Sequence, residues 1–499
     1  MRSVSTHLFS AGRASPPEAD PPLAEARHLP VRQAGANACP TRRSGLPASL
    51  CLGLALLTTA LLSASCDGDG ETNGDRTPGE PIKVTVWHSM SGPLVGALQE
   101  GIVDEFNQSQ DQYRVELIPQ GSYTDSLNKL INSVPSGNIP TLIQLDDVST
   151  QIMIDSAAIT PVQDFVDEDG YDLSDFDPKA LSYYTVDGVL YSMPFNLAGP
   201  ILYYDRQAFE EAGLDPDTPP RTLDEVRDYS ERLAVRNEQG EVTRYGIALQ
   251  ISPWFFEQML AKQGALYANN GNGREGRATG AVFASEAGKQ IIEWYDRMVE
   301  DGLAYNAGRQ GTDAMLKLAS GEAAMAMEST AALGAAVALI SIAGEDPQRL
   351  GTGPLPAPEG EDGGIILGGA SFWIMKERPD DEKRGAWEFI KFAASPEQQG
   401  QWHADTGYFP TRLSAYNHPA AVQRRQQFPQ FETAVQQLRD SPDTPATQGA
   451  LLGAFRSARD SITQAFERVL AGAGDPDQEL EAAAAKANDA IEEYNRTAP

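Results

Sequence analysis

The distribution of apolar and polar residues predicts alternating strands and helices in the first part of the folded region. KVTVW (83–87), YRVELIP (113–119) and TLIQLDD (141–147) are short apolar runs rich in β-branched residues, which is typical of strands. Between them, residues 93–107 and 122–133 carry apolar side chains at helical spacing. This order predicts an α/β fold in which helices cover both faces of a parallel sheet, and ligands bind at the carboxyl ends of such strands.

A second α/β region begins near Pro194. GPILYYDRQAFEEAGL predicts a strand and a helix that ends at Gly213, and Thr222 with Glu225 predicts a capping box at the start of the next helix. The remaining predicted elements are strands at YGIALQ (245–250), GEAAMAMEST (321–330) and GGIILGGASFWIMK (363–376, interrupted by Gly368-Gly369), helices at 285–300 and 312–320, and a mostly helical part from Ser414.

The N-terminal region, residues 1–65, predicts a secretory signal. Its uncharged run LCLGLALLTTALLSAS is shorter than a typical membrane span, follows Arg42-Arg43 and ends in small residues. Cys66 comes next, and LSASC resembles a bacterial lipobox, in which the cysteine is lipidated; plain secretion is the alternative. Residues 66–81 form a predicted flexible tether. Residues 1–40 do not fit a signal and suggest a start assigned too far upstream.

Charge and cysteine content narrow the class of protein. The chain has 499 residues, enough for two or three domains, and its net charge of −31 argues against nucleic acid or an anionic surface as partner. Of its three cysteines, Cys39 and Cys51 lie in the predicted signal and Cys66 is the predicted anchor, so none is left for a disulfide. We therefore expect an extracytoplasmic protein held to the membrane through Cys66.

Several motifs together resemble one family: WHSM (87–90), GSYTDSLN (121–128), ITPVQDF (159–165), PFN with PILYYDRQAFEEAGLDPDTPP (194–220), GGASFWIM (368–375) and WHADTGYFP (402–410). The chain resembles the extracellular solute-binding proteins, family 1, of ABC importers, specifically the glycerol-3-phosphate-binding type. The resemblance implies a two-lobe, periplasmic-binding-protein-like α/β fold (type II) with a hinged cleft. It places one lobe at 82–195 plus 366–410 and the other at 196–365 plus 411–499. The implied partners are a permease and its ATPase; a monomer without cofactor or metal is expected.

The resemblance also implies a set of ligand-binding residues. Arg459, Ser329, Gly369 and Tyr408 would hold a phosphate, Asp147 and Tyr123 would hold hydroxyls or a head group, and Trp254 would stack on the ligand. Several alternatives stay open: Arg456 could replace Arg459, Arg459 could pair with Asp460 at the surface, Trp254 could serve lobe packing, and Trp87 could be core while Ser89 to Gly92 line the cleft.

Three positions depart from the family pattern and bear on the ligand. Asp147 stands in place of a glutamate, Ala198 in place of a hydroxyl residue and Ile251 in place of an aromatic residue, which suggests a wider pocket. A glycerophosphodiester with a quaternary ammonium head, such as glycerophosphocholine, then becomes an expected ligand besides glycerol 3-phosphate. A disaccharide or oligosaccharide is the alternative within the same fold.

An enzyme finds little support in the sequence. A surface phosphodiester hydrolase would need a metal site or a nucleophile with a base. His88, His403 and His418 have no metal-ligand spacing, and no G-x-S-x-G, P-loop or H-E-x-x-H motif occurs. We therefore predict a receptor that captures a glycerol-phosphate compound for import and that catalyses no reaction.

Overall fold

The computed structural model describes residues 79–498 apart from 310, 359, 361 and 362. The predicted signal, Cys66 and nearly all of the predicted tether lie outside the described residues.

The described residues form fourteen strands. They are β1 Ile82–His88, β2 Tyr113–Pro119, β3 Leu142–Asp146, β4 Ile159–Thr160, β5 Thr185–Val186, β6 Val189–Leu190, β7 Met193–Ala198, β8 Pro200–Asp205, β9 Val235–Arg236, β10 Val242–Leu249, β11 Ala304–Asn306, β12 Ala323–Ser329, β13 Leu350–Pro354 and β14 Gly368–Met375.

Nineteen α-helical segments accompany the strands in the same part of the chain. They are α1 Pro93–Leu98, α2 Asp104–Ser109, α3 Tyr123–Ser133, α4 Thr150–Asp155, α5 Val162–Asp169, α6 Pro178–Tyr184, α7 Arg206–Glu211, α8 Leu223–Leu233, α9 Pro253–Lys262, α10 Asn269–Gly273, α11 Glu286–Glu300, α12 Gly311–Ala319, α13 Leu333–Ile342, α14 Asp380–Ala393, α15 Pro396–Thr406, α16 Pro419–Gln427, α17 Gln430–Asp440, α18 Phe455–Leu470 and α19 Pro476–Thr497. A π-helical turn, Gln99–Val103, joins α1 to α2, and α10 is a left-handed turn.

Two six-stranded sheets organise the molecule. The first has the order β2-β1-β3-β14-β4 with β7 beside β14, and the second has the order β11-β10-β12-β8-β13 with β9 beside β10. We call each sheet, with the helices packed on it, the first and the second lobe. The two-lobe α/β architecture predicted from the resemblance is thus present.

The prediction of a parallel sheet was only partly right. β1 runs parallel to β2 and β3, as expected, but β14 runs antiparallel to β3, β4 and β7. β14 comes from a distant part of the chain, so the strand–helix–strand pattern that predicts parallel neighbours does not apply to it.

The chain crosses between the lobes at three places that lie close together. The first crossing is at Gly199, between β7 and β8, and the second lies between β13 and β14. The third follows Phe409, which forms a bridge to Leu197 in the first lobe. The chain then reaches α17, which packs on β13 in the second lobe. A Cβ atom on Gly199 would lie 2.7 Å from Ile365 Cδ1 and 3.1 Å from a ring carbon of Phe409. Glycine therefore permits the three segments to meet; the predicted lobe boundaries themselves stay predictions.

The predicted strand at 363–376 begins only at Gly368. Before it, Ile365 N–H donates to Ser441 Oγ (3.0 Å) and Ile366 N–H donates to Gln258 Oε1 (2.8 Å). These buried backbone groups are satisfied by side chains of the second lobe, so the segment crosses between the lobes without a strand partner. An apolar run alone cannot distinguish this case from a buried strand.

Buried side chains alternate along the second sheet. In β8, Ile201 and Tyr203 belong to one core cluster, which continues into the first lobe, whereas Leu202 and Tyr204 belong to the other. Side chains of successive strand residues point to opposite faces, so this sheet is covered on both sides. The second cluster also contains the inner faces of α9, α11, α18 and α19, which fixes α18 to the second lobe.

Candidate functional site in the interlobe cleft

The first edge of the cleft is the carboxyl end of β1. Trp87 is 5% exposed and His88 is 1% exposed, and His88 Nδ1 accepts a hydrogen bond from Met90 N–H (3.3 Å). Burial lowers the pKa of His88 and so favours a neutral ring. Lys129 Nζ lies 4.6 Å from the centre of the Trp87 ring. Trp87 and His88 therefore serve as core, while Ser91 and Gly92 remain exposed at the turn.

Tyr123 is the first residue of α3 and is half-buried. Ser122 caps this helix, because its Oγ accepts from Asp125 N–H (3.1 Å) while Asp125 Oδ2 accepts from Ser122 N–H (3.0 Å). This capping box fixes the start of α3 and hence the position of Tyr123. The Tyr123 hydroxyl accepts a hydrogen bond from Asn196 Nδ2 (3.2 Å).

Asp146 and Asp147 end β3 and face different surroundings. Asp146 Oδ1 accepts from Ser149 Oγ (2.5 Å) and from Arg456 (2.7 Å). Asp147 is 6% exposed, and its Oδ1 accepts from Val148 N–H (2.8 Å). Burial raises the pKa of Asp147 to about 7, against the opposing charge of Arg459. The carboxyl group of Asp147 can thus be proton donor or acceptor near neutral pH.

Arg459 lies in α18 and is held by an acid that sequence reasoning missed. Its Nε and Nη2 donate to the two oxygens of Glu257, at 2.7 Å and 2.6 Å. The Glu257 side chain is 5% exposed and that of Arg459 is 18% exposed. The surface pair with Asp460 that remained open in the sequence does not form here. Glu257 lies 202 positions from Arg459, so no local pattern could have revealed the pair.

Arg456, the alternative to Arg459, lies one helical turn earlier on α18 and reaches the first lobe. Its Nη1 donates to Thr124 Oγ1 (2.7 Å), and its Nη2 donates to Asp146 Oδ1 (2.7 Å) and Ser149 Oγ (2.9 Å). The segment is helical as the sequence predicted. Arg456 therefore joins the lobes across the cleft, whereas Arg459 is paired within the second lobe.

Trp254 and Asp147 line one recess between the lobes. Its empty volume is about 350 Å³, open solvent included. Other residues on its wall are Tyr183, Glu257, Tyr267 and Phe455. Ile251, whose position suggested a wider pocket, is 5% exposed and belongs to the core of the second lobe.

The two glycines of GGAS have different surroundings. A Cβ on Gly368 would lie 3.1 Å from both Trp254 Nε1 and Asp147 Oδ2, so Gly368 is the glycine beside the recess. Gly369 has φ +126°, and a Cβ there would lie 2.2 Å from the carbonyl oxygen of Asn196. The close approach of β7 to β14 thus requires glycine at 369 whether or not a ligand binds there.

Tyr408 lies near the Asn196 amide, which donates to Tyr123. It is 7% exposed, and its ring stacks on Trp402 with centroids 5.7 Å apart. Burial raises the pKa of Tyr408 to about 12, and the nearby amide of Asn196 partly offsets this rise. Asn196 was quoted in the sequence only as part of PFN, because a polar residue inside a strand gives no signal of its own.

Ser329 forms hydrogen bonds with other groups of the protein. Its Oγ accepts from Ala331 N–H (3.2 Å) and caps a short helical turn, while its carbonyl accepts from the Tyr203 hydroxyl (2.8 Å). Among the described residues, no hydrogen bond joins Ser329 to the other predicted site residues. The predicted set thus falls into three parts: Asp147, Trp254 and Arg459 near the recess, Tyr123, Gly369 and Tyr408 around Asn196, and Ser329 apart.

Within 79–498, apart from 310, 359, 361 and 362, no group of three His, Cys, Asp or Glu side chains is placed to hold a metal ion. In that part of the chain no helix has both the length and the apolar character that crossing a bilayer needs.

The fold and its interlobe cleft define a class, the two-lobe solute-binding proteins of ABC importers. A family model described as bacterial extracellular solute-binding protein matches residues 101–430. The chain belongs to this family, and its place of action is extracytoplasmic.

Curated relatives agree with this assignment over most of their length. The sn-glycerol-3-phosphate-binding periplasmic protein UgpB of Salmonella typhimurium is 30% identical over 431 residues, which are 84% of this chain and 95% of that protein. UgpB of Escherichia coli K12 is 30% identical over 428 residues, 83% of this chain and 93% of that protein.

Solved structures support the fold. UgpB from Mycobacterium tuberculosis in complex with glycerophosphocholine matches with a TM-score of 0.69 at 22% identity, over 83% of this chain and 98% of that chain. The GacH receptor of Streptomyces glaucescens, known in complex with acarbose, matches with a TM-score of 0.68 at 18% identity, over 84% of this chain and 100% of that chain. At these identities the likeness concerns architecture alone.

Proposed function

We propose that the protein captures a glycerol-phosphate compound, foremost a glycerophosphodiester such as glycerophosphocholine, and delivers it to an ABC permease and its ATPase. One observation carries the proposal: the recess combines the acid Asp147 and the indole of Trp254 with an arginine fork, Arg459, held next to it. A carboxylate and an aromatic face attract a quaternary ammonium group, and a planar guanidinium binds phosphate oxygens. The likeness to glycerol-3-phosphate-binding relatives supports the same ligand class.

The charge arrangement favours a diester over glycerol 3-phosphate itself. Arg459 already has a bidentate carboxylate partner in Glu257, and Arg456 is bound to Asp146. Glycerol 3-phosphate carries a phosphate dianion, which would have to share these arginines with two carboxylates. Glycerophosphocholine is a zwitterion, so it brings one charge of each sign into a recess that itself contains both signs of charge.

A carbohydrate ligand is the second candidate. Trp254 would then stack on a sugar ring, and Asp147 would accept hydrogen bonds from hydroxyl groups. The structural likeness to a receptor that binds acarbose favours testing this ligand class.

Calorimetry and thermal unfolding with four compounds separate these candidates. We expect glycerophosphocholine to bind and raise the melting temperature, glycerol 3-phosphate to bind less tightly, and maltose and trehalose to leave the melting temperature unchanged. A Trp254→Leu variant should bind glycerophosphocholine about tenfold more weakly, the loss of a desolvated cation–π contact. Stabilisation by the sugars alone would overturn the proposal, and release of free choline would indicate a hydrolase.

Membrane attachment through Cys66 belongs to the same proposal. The lipobox-like LSASC supports it, although Cys66 lies outside the described residues. Metabolic labelling with a fatty acid should mark the wild-type protein and leave a Cys66→Ala variant unlabelled. Label in both would contradict the assignment of Cys66. The monomeric state expected for a receptor of this class is measured by light scattering in the same preparations.

A further inference from the structure

A chain of buried amides runs from the WHSM turn to the cleft. Ser89 N–H donates to Gln144 Oε1 (3.0 Å), Gln144 Nε2 donates to Asn196 Oδ1 (2.7 Å), and Asn196 Nδ2 donates to the Tyr123 hydroxyl (3.2 Å). Gln144 is 0% exposed and Asn196 is 1% exposed. Three segments that are far apart in sequence, the turn after β1 and the strands β3 and β7, are connected in this way to the start of α3.

The first hydrogen bond of this series, from Ser89 N–H to Gln144, fixes which atom donates in each of the others. A backbone N–H can only donate, so the Gln144 atom facing Ser89 must be the oxygen. The nitrogen of Gln144 must then face Asn196, and the oxygen of Asn196 must face Gln144. Asn196 is left with its NH₂ group toward the cleft, where the Tyr123 hydroxyl has no choice but to accept.

Tyr408 is the second tyrosine near the Asn196 amide. The NH₂ group of Asn196 carries two hydrogens, and this amide lowers the pKa of Tyr408, which is the direction expected when an amide donates toward a phenol oxygen. Burial raises the pKa of both tyrosines, to about 12 for Tyr408, so both keep their protons at neutral pH. A tyrosine hydroxyl whose oxygen accepts a hydrogen bond from Asn196 still has its own hydrogen to donate.

We infer that Gln144 and Asn196 are positioning residues that compel Tyr123 and Tyr408 to act as hydrogen-bond donors, so that this wall of the cleft selects an acceptor oxygen of the ligand. The inference rests on the proposed function only in taking the cleft as the ligand site. It predicts how the ligand is oriented. A group that only accepts hydrogen bonds, such as the charged oxygen of a phosphodiester, lies at the two tyrosines, and hydroxyl or cationic groups lie at Asp147. A ligand that offers only donors there would leave the tyrosine O–H hydrogens without an acceptor, so such a ligand is disfavoured.

Substitutions that exchange hydrogen-bond donors for acceptors, while keeping the shape of the side chain, test the inference. Gln144→Glu keeps the acceptor for Ser89 N–H but offers an oxygen to Asn196, whose amide must then turn its own oxygen toward the tyrosines. Asn196→Asp replaces the donor by a carboxylate that accepts from both hydroxyls. We expect either variant to weaken glycerophosphocholine binding by about 10- to 100-fold in calorimetry, as two hydrogen bonds to a charged oxygen are lost.

A double-mutant cycle distinguishes positioning from a general structural effect. In a background with Tyr123→Phe and Tyr408→Phe, Asn196→Asp should change Kd by less than about twofold, because its effect passes through the missing hydroxyls. Independent, multiplicative effects would overturn the inference. Ser192→Ala, which removes a buried hydroxyl pair with Ser371 in the same sheet, is the matched control and should leave Kd unchanged.

Two further readouts keep the test decisive. NMR of the tyrosine Cζ carbons, recorded without ligand, should shift for Tyr123 and Tyr408 alone in Gln144→Glu; unchanged shifts in the folded variant would overturn the inference. Maltose is titrated in parallel. If the wild type binds maltose and not glycerophosphocholine, the proposed ligand is wrong, yet the Kd cycle with maltose still decides the role of Asn196. Wild-type Kd in both folded variants overturns the inference alone.

Discussion

At the scale of single residues, Asp147 is a ligand-site candidate whose charge depends on folding. It is 6% exposed, and burial raises its pKa from 3.8 to about 7. The folded protein therefore keeps this proton up to about pH 7, while the unfolded chain releases it near pH 3.8. The resulting contribution to the free energy of unfolding is complete below pH 3.8 and is lost as the pH rises to about 7.

Asp147→Asn should remove this pH dependence. We expect the difference in unfolding free energy, variant minus wild type, to increase between pH 4 and pH 7.5 by as much as about 1.4 kcal/mol for each unit of pKa shift, and to stay level above that. Urea unfolding at several pH values measures it. Parallel curves for the two proteins would show that the carboxyl group titrates normally in the fold.

Residue roles were only partly predictable from the sequence. The resemblance singled out Asp147, Trp254 and Arg459, which the structure brings near one recess, but it could not supply Glu257, which holds Arg459 from 202 positions away. Asn196 was missed for a similar reason: its partners Gln144 and Tyr123 lie 52 and 73 positions from it. Long-range hydrogen bonds leave no periodic pattern in the sequence.

At the scale of secondary structure, local signals predicted elements well where the determining contacts are local. The capping box at α8 is present: Thr222 Oγ1 accepts from Glu225 N–H (3.1 Å), and Glu225 Oε2 accepts from Thr222 N–H (3.3 Å). The segment before Gly368 was wrongly predicted as strand because its backbone partners, Ser441 and Gln258, belong to the other lobe. The direction of β14 was missed because its partners β3, β4 and β7 come from a distant part of the chain.

Thr222→Ala should lower the free energy of unfolding by about 1 kcal/mol, the usual cost of losing an N-cap side chain. Thr222→Ser keeps the oxygen and should stay within a few tenths of a kcal/mol of the wild type. Denaturant unfolding at one pH compares the three proteins. Ligand affinity should be the same in all of them, since α8 lies in the second lobe away from the recess; equal stability of Thr222→Ala and wild type would contradict the role of the cap.

At the scale of the whole molecule, ion pairs are among the polar contacts between the two lobes. Asp155, at the end of α4 in the first lobe, accepts two hydrogen bonds from Arg277, both 2.8 Å, and one from the Tyr494 hydroxyl (2.9 Å). Tyr494 lies in α19 and packs against the core of the second lobe. Arg456, which binds Asp146 and Thr124, also joins the two lobes. Because these bonds connect one lobe to the other, they would break if the lobes moved apart.

Asp155→Asn should therefore shift the population toward an open form without altering the recess. Losing the bidentate ion pair disfavours closure, so we expect a larger radius of gyration in X-ray scattering without ligand and a Kd weaker by about tenfold, equivalent to about 1.4 kcal/mol. Asp169→Asn is the matched control, because its partners Arg384, Trp387 and Lys391 all lie in the first lobe with it. That control should lower stability and leave the radius of gyration unchanged. Identical radii and affinities for Asp155→Asn and wild type would show that the interlobe ion pair does not bias closure, and that the energy for closing comes from the ligand alone.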